Sequence, residues 1–386
     1  MYSKFVSKNL GWSFGLTLAF SVSVIASISA DWIGEDILGF NRSPISDIMM
    51  AIIIGMIIAN TIPLKSSIKI GLKFCATTIL RIGIMLLGIR LSLFGAGQFT
   101  LVALPFVIAA ITIGLVTVRI LGRSMKLSPQ LTGLIAVGTS ICGATAIVAT
   151  APLIKAKEAE VSYAIACITI FGLVAMFSYP FLAHFMFSDQ PVMAGLFLGT
   201  SIHETAQVAG AGLMYQSQYN APLALDIATV TKLVRNLCMI AVIPLVGILY
   251  GQNDQAVKSE NKWAWISMIP WFIVGFAIMS AIRTIGDLSE TPFGFMDINQ
   301  WNEFVALIKS AAEKLLLIAM SAVGLTSFLH GMKDIGMRPF MLGLFAALLT
   351  RPSIFLNFSV ICNEHFLTFS SFVISTPKPT APTLYF

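Results

Sequence analysis

The sequence has few charged residues. Only 11% of its 386 residues are Asp, Glu, Lys or Arg, whereas soluble globular domains carry about a quarter. Hydrophobic residues make up 57% of the chain, and the mean hydropathy is +0.87. This composition excludes a soluble globule and predicts an all-α polytopic membrane protein. The net charge of +6 does not indicate nucleic-acid binding, because the basic residues lie in short loops between apolar segments.

Paired cysteines and enzyme motifs are also lacking. The five cysteines occur singly, without a spacing typical of a disulfide framework or a zinc site. His203 and Glu204 begin like the HExxH motif of a zinc protease, but Gln207 stands where the second histidine belongs. The sequence has no phosphate loop, nucleophile elbow or dinucleotide fingerprint. We therefore expect no catalytic residue, no metal, no cofactor and no enzyme activity.

Eleven apolar segments are long enough to cross about 30 Å of hydrocarbon. They cover residues 11–30, 44–62, 72–92, 98–121, 129–154, 159–187, 191–213, 222–250, 263–284, 304–329 and 336–357. The first is longer than a signal-peptide core, so we interpret it as a retained helix. Residues 1–357 then form one transmembrane domain. Arg351 and Pro352 interrupt the last segment, and residues 358–386 are atypical: either an unstructured tail or the product of an altered reading frame.

Basic residues indicate the orientation. With a cytoplasmic N-terminus, most basic loop residues lie inside, and those in outside loops are Arg42, Lys155, Lys157 and Arg283. Lys155 and Lys157 would also lie inside if segment 129–154 entered the membrane and returned. Re-entry there requires a second non-spanning segment, most simply 191–213. We prefer eleven spans and keep this alternative open.

Setting the first span aside leaves ten segments, which divide into repeats of five at residues 44–187 and 191–357. Tandem groups with an odd number of spans are inverted across the membrane, as in many secondary transporters. The fourth members of both groups are rich in small and hydroxyl residues: Gly138, Ser140, Gly143 and Thr145 in the first, and Ser321, Gly324 and Thr326 in the second. This pattern favours discontinuous helices that meet at mid-membrane. Close packing of continuous helices is the alternative.

The hydroxyl groups and glycines in these two segments have a further possible use. Hydroxyls can replace backbone partners where a helix unwinds, and the freed amides attract an anion. Ordinary interhelical hydrogen bonds would explain the same residues. The tetrapeptide GTSI recurs at residues 138–141 and 199–202, but a match this short is expected by chance.

A charged tetrad lies inside apolar sequence: His203, Glu204, Lys232 and Arg235. Ionisable side chains at membrane depth are costly, so they persist mainly where they face a cavity and each other. Lys232 and Arg235 are three residues apart and share a helix face, where they can bind an anion. His203 and Glu204 can take up and release protons. The alternatives are a structural ion pair and snorkelling to an interface.

Arg81 is another charge within an apolar segment, 72–92. It requires a partner carboxylate or a polar cavity at that depth. We expect a structural role for this arginine, as we do for the helix breaks at Gly138, Gly143 and Gly324.

Seven strings resemble a known family. They are RSPISDIMMAIIIGMIIAN, ILRIGIMLLGIRLSL, GTSICGATAIVA, FLGTSIHETAQVAGAG, VTKLVRN, AMSAVGLTS and GMRPF. In this order they resemble the YeiH-type bacterial inner-membrane proteins, often labelled as sulfate exporters, over about residues 44–345. The resemblance implies an antiporter-like fold with a ten-helix inverted repeat, preceded here by one extra helix.

These observations together predict a secondary transporter that moves a small anion, of the sulfate or organosulfonate class, across the inner membrane and couples this to protons. Lys232, Arg235, Ser140, Thr145, Ser321 and Thr326 would bind the substrate. The alternatives are a sensor or scaffold whose buried charges are structural, and a passive anion channel. The expected partners are the lipid bilayer, a small anion and protons, without nucleic acid; the oligomeric state stays open, with a homodimer among the options.

Overall fold

The computed structural model describes residues 2–37, 46–250, 270–289, 291–327 and 340–345. Within these ranges the chain is mostly α-helical and contains no strand. The helices are α1 (Tyr2–Asp31), α2 (Asp47–Thr61), α3 (Ser66–Phe74), α4 (Leu80–Leu87), α5 (Leu93–Ser124), α6 (Pro129–Ser140), α7 (Ala144–Thr150), α8 (Glu158–Phe187), α9 (Pro191–Ser201), α10 (Thr205–Tyr219), α11 (Pro222–Leu237), α12 (Met239–Tyr250), α13 (Trp271–Asp287) and α14 (Ile298–Thr326). The predicted all-α class is confirmed.

Four described stretches are long and apolar enough to cross a membrane. They are residues 11–31 in α1, residues 66–90, which join α3 to α4, and the helices α5 and α8. Helices α11 and α12, bent by 45° where they join, are long and apolar enough only together, and they make a fifth if the pair is one span. The start of the predicted span 263–284, most of the span 336–357 and the tail 358–386 lie outside the described residues.

Helices α6 and α7 form a hairpin instead of a straight span. Ser128 caps α6 and Pro129 occupies its first position, while Gly143 at φ +71° makes the turn between the helices. The Ser128 hydroxyl also donates to Glu160 Oε1 over 2.5 Å, in the first turn of α8. A spanning segment would separate these residues by about 30 Å. Residues 129–154 therefore form two short helices that return to the face from which they started, and not the single continuous helix that a straight span requires.

Helices α9 and α10 form a second hairpin. His184, near the end of α8, stacks on Tyr219, the last residue of α10, with ring centroids 3.7 Å apart. The residues before and after this hairpin thus lie on one face. At its tip, Asn236 Nδ2 in α11 donates to Thr205 Oγ1 over 3.1 Å. Residues 191–213, which were predicted to form one span, therefore belong to two helices that return to the face from which they started.

The two hairpins enter from opposite faces of the protein. The start of α8 lies beside the start of the first hairpin, and its end lies beside the end of the second, so the long helix α8 connects the two faces. The GTSI tetrapeptides end α6 and α9 respectively. The recurrence of GTSI, which is short enough to be expected by chance, therefore marks the two hairpin tips.

Helix α14 is continuous, so the break predicted at residues 321–326 is wrong. The hydroxyls of Ser321 and Thr326 donate to carbonyl oxygens one turn earlier in the same helix. A Cβ on Gly324 would lie 2.5 Å from the carbonyl oxygen of Ile52, because α2 crosses there at close range. These small residues serve helix packing, which was the alternative interpretation.

The hairpin geometry predicts which loops share a side of the membrane. In a cysteine-free background, single cysteines at Arg123 and Lys157 should react with an impermeant maleimide from the same side, and one at Asp189 from the other. The measurement compares labelling in vesicles of opposite orientation. Labelling of Lys157→Cys from the side opposite to Arg123→Cys would restore the spanning interpretation.

Candidate functional site

Lys232 of α11 lies where the two hairpin tips meet, and it is 0% exposed. Its ammonium group donates to the carbonyl oxygens of Ile141 over 2.8 Å and Ile202 over 3.2 Å, and to that of His203. The first of these carbonyls directly follows α6, and the other two directly follow α9. One side chain therefore bonds to both tips.

Arg235 lies one turn further along α11 and is equally buried. Its Nε donates to the carbonyl oxygen of Ser140 over 2.7 Å, and its Nη2 donates to that of Thr139. Its Nη1 donates to the carbonyl oxygens of Thr200 over 2.9 Å and Ile202 over 3.0 Å. The guanidinium group thus also connects α6 with α9.

These contacts give the two cations a structural task. The last carbonyls of a helix have no partner within the helix and carry the negative end of its dipole. Inside a membrane such groups must be satisfied by the protein. Lys232 and Arg235 supply the donors and the compensating charge. Both cations were predicted to bind substrate. These hydrogen bonds go to backbone carbonyls, and neither residue is among the described ones that line the large cavity beside them.

That cavity has a volume of about 540 Å³ and lies between the hairpin tips, α3–α4, α13 and α14. Among the described residues that line it, the cations are Lys69, Lys73 and Arg81, and Glu204 is the one carboxylate. Hydroxyl and amide groups complete the polar part of the wall: Thr77, Thr145, Thr169, Thr205, Asn236, Thr326 and Ser327. The described wall carries an excess of positive charge.

Four polar residues form a stripe along one wall of this cavity. Lys69, Lys73, Thr77 and Arg81 are spaced by four residues and all line it. In a regular α-helix such a row drifts around the axis. A π-helical turn at Cys75–Ile79, which contains Thr77, adds residues to one turn and keeps the row facing the cavity.

The structure brings some of the predicted site residues together in the cavity. Arg81, whose guanidinium group lies 5.9 Å from the ring centroid of Phe272, shares its wall with Thr145, Glu204 and Thr326. Glu204 begins α10, where its N–H donates to the side chain of Gln207.

The other predicted site residues lie outside the lining. His203, Ser140 and Ser321 are fully buried. Gly138 and Gly143 belong to the first hairpin: a Cβ on Gly138 would meet Ile168 at 2.1 Å, so α6 and α8 are in close contact there. Only the break predicted at Gly143 coincides with a change of helix direction.

Lys69 and Lys73 were not predicted as site residues, because basic residues next to apolar segments were interpreted as charges that orient the chain. Their four-residue spacing with Thr77 and Arg81 was the available signal. Asn236 was missed too, and no pattern in the sequence singles it out.

A second polar cluster, also missed, lies at the opposite face. Arg90 binds Asp226 over 2.5 Å, Glu313 over 3.0 Å and Gln216 over 2.9 Å. The side chains of Arg90 and Asp226 are only 7% and 12% exposed. The cluster joins the end of α4 to α10, α11 and α14 close to the face where the second hairpin begins.

The fold and the site define a class: a helical multi-pass membrane protein with two opposed hairpins and a polar central cavity. A family model described as "Conserved hypothetical protein 698" matches residues 14–343. The chain belongs to this family, and its resemblance to the YeiH-type proteins is confirmed. No solved structure matches the chain.

Curated relatives cover most of the chain. The UPF0324 membrane protein OB3406 of Oceanobacillus iheyensis is 36% identical over 340 residues, which are 87% of this chain and 91% of that protein. The UPF0324 membrane protein PM1461 of Pasteurella multocida is 34% identical over 307 residues, or 78% and 84% of the two chains. One from Haemophilus influenzae is 32% identical over 328 residues, or 83% and 89%. These names support a membrane protein.

The hairpin junction predicts a strong dependence of folding on Arg235. Arg235→Met should destabilise the protein by at least about 3 kcal/mol, because each buried polar group left without a partner costs about 1–3 kcal/mol. Thermal unfolding in detergent, followed by size-exclusion chromatography, measures the effect. Lys73→Met is the matched control, since it also removes one cation but from the cavity wall. Equal stability of the two variants would contradict the structural role of Arg235.

Proposed function

We propose that this protein is a secondary transporter of a small anion. The observation that carries the proposal is the cavity of about 540 Å³ whose described wall holds three cations and one carboxylate. Binding pockets for small molecules typically have about 300–1,000 Å³. A sulfate or a small organosulfonate fits this size and charge. In this proposal, as in the sequence-based expectation, the protein is not an enzyme.

Arg81 is the best placed anion ligand. Its guanidinium group offers directed donors for an oxyanion, and it forms no ion pair or hydrogen bond with another described residue. Thr145 contributes a hydroxyl donor from the first hairpin, whereas Thr326 lines the cavity but donates its hydroxyl proton within α14. The N-terminus of α10, at Thr205 and Ala206, adds the positive end of a helix dipole. Lys69 and Lys73 attract the anion toward Arg81.

Glu204 couples the anion to a proton. Glu204 is the one carboxylate on the described wall. When it is ionised it repels an anion in the cavity, and when it is protonated it allows the anion to bind. Anion and proton therefore bind together. His203, its neighbour in the chain, is the second proton-coupling candidate, although it is buried behind the wall.

The proposed topology has two re-entrant hairpins and a cytoplasmic N-terminus in the bacterial inner membrane. Re-entry of residues 129–154 moves Lys155 and Lys157 to the side that holds Arg119 and Arg123, which agrees with the positive-inside rule. The inverted repeat then relates the two hairpins, with their GTSI tips, instead of segments 129–154 and 304–329.

Alternating access follows from the two faces. Lys69 and Lys73 are exposed at the face we assign to the cytoplasm, so the cavity opens there. The cluster around Arg90 closes the other face. Rocking of one helix group against the other, as in other inverted-repeat transporters, would break this cluster and open the cavity outward.

A scaffold is the second candidate, and one observation favours it: Lys232 and Arg235 have structural contacts, as that hypothesis predicted. A scaffold has no need, however, for a cavity lined by Arg81 and Glu204. This cavity is the reason to prefer a transporter.

Reconstituted vesicles test the transporter. With sulfate or an organosulfonate inside and a pH gradient imposed, we expect saturable flux. Arg81→Gln should weaken apparent affinity about 10- to 100-fold, because a hydrogen bond to a charged group contributes about 1.5–3 kcal/mol. Glu204→Gln should abolish the response to the pH gradient while anion exchange continues.

Lys157→Gln is the matched control, since this exposed cation lies outside the described cavity wall. Absence of flux for every tested anion, with folded protein, would favour the scaffold. A conductance that does not saturate would favour a channel.

The Arg90 cluster gives a second prediction. Arg90→Gln should raise the labelling rate of a cysteine at Thr145 from the face of the cluster about tenfold, because one lost hydrogen bond to a charged group is worth at least about 1.4 kcal/mol. An impermeant maleimide measures the rate. Arg283→Gln is the control, since it removes a more exposed i, i+4 pair with Asp287. Unchanged labelling in Arg90→Gln would show that the cluster is not a gate.

A further inference from the structure

A second cavity, of about 340 Å³, lies between α5, α6 and α12. It is near the face where α5 ends and α6 begins, and it shares no described lining residue with the central cavity. Its wall includes Arg119, Arg123, Thr132 and Tyr250. The proposed transport function does not use any of them.

The polar groups on this wall do not satisfy one another. Arg119 and Arg123, one turn apart on α5, form no ion pair with a described carboxylate, and the Arg119 guanidinium group lies 5.5 Å from the ring centroid of Tyr250. Thr132 is only 3% exposed, yet its Oγ1 has no hydrogen-bond partner among the described residues. The Tyr250 hydroxyl is buried and lacks a partner there as well. Four potential donors thus surround one space.

The donors on this wall suit an anion rich in acceptors. Two like charges one turn apart repel each other, and an anion between them would relieve this repulsion. A phosphate group has several acceptor oxygens and suits the forked donors of arginine. The N-terminus of α6 contributes the positive end of a helix dipole to the same wall through Pro129 and Gln130.

The surroundings of the cavity favour a lipid as the source of this phosphate. Ile120 of α5 and Ile248 of α12 are the chain neighbours of the lining residues Arg119 and Leu249, and they are 62% and 63% exposed, so an apolar chain can lie along them. Basic pockets between transmembrane helices are known to hold lipid headgroups. We propose that this cavity binds the phosphate of an anionic phospholipid, with the acyl chains against α5 and α12.

Such a lipid would stabilise the first hairpin. The phosphate contacts the beginning of α6, and the end of the same helix supplies the carbonyls that Arg235 binds. A lipid that fixes one end of α6 therefore supports the junction at the other end. This effect is independent of whether the protein transports an anion.

The test uses the purified full chain, delipidated in a non-ionic detergent. Phosphatidylglycerol is titrated while bound lipid is counted by native mass spectrometry and the unfolding temperature is followed. We expect saturable binding and a rise in unfolding temperature. Arg119→Gln combined with Arg123→Gln should weaken binding about tenfold, whereas Lys65→Gln, an exposed cation outside the cavity wall, should not change it.

Tyr250→Phe is the second variant, because it keeps the ring under Arg119 and removes only the hydroxyl. It should weaken binding a few-fold even if the double variant does not fold. Equal binding by the wild type and by these variants would overturn the proposal. Inorganic phosphate that binds as tightly as the lipid would also overturn it and assign the cavity to a soluble phosphate.

Discussion

The structure depends on how two helix ends are stabilised inside the membrane. Helices α6 and α9 enter from opposite faces of the protein and both end in its buried interior, where water cannot satisfy their last carbonyl groups. Their dipoles also present two negative ends to each other. Lys232 and Arg235, three residues apart on one face of α11, donate to both ends. Burying the charges of Lys232 and Arg235 costs free energy, and so does burying the unpaired carbonyls at the ends of α6 and α9. Each group therefore compensates for the burial of the other.

The central cavity follows from the same junction. A helix that ends inside the protein leaves room beyond its tip, and the chain that continues from each tip forms part of the cavity wall. Thr145 lies just beyond the first tip, and Glu204 lies just beyond the second. The junction thus fixes the positions of both side chains relative to Arg81 on α4. A substitution of Lys232 or Arg235 would shift the hairpin tips and thereby move Thr145 and Glu204 on the cavity wall, although neither cation is among the described lining residues.

The sequence predicted the class of fold and the unusual charges, because composition and membrane depth restrict both strongly. It also contained the signal for re-entry, in Lys155 and Lys157. It could not predict the partners of Lys232 and Arg235, since a backbone carbonyl has no signature in the choice of residue. The small residues of α14 were misleading because a tight helix crossing and a helix break require the same side chains. Lys69 and Lys73 were overlooked since a charge that orients a helix can also line a cavity.

The distinction between structural and substrate-binding cations rests on the donors that remain available. The Nε, Nη1 and Nη2 groups of Arg235 already donate to carbonyl oxygens. Binding an anion there would require breaking hydrogen bonds that hold the two hairpins together. A transporter must also release its substrate, which favours a ligand that is not part of the framework. In the proposed transporter Arg81 meets this condition: its guanidinium group lies 5.9 Å from the ring centroid of Phe272, a contact that leaves its N–H donors available for an oxyanion. The structural role of Arg235 on α11 and the proposed anion-binding role of Arg81 on α4 thus both follow from which N–H donors are already in use.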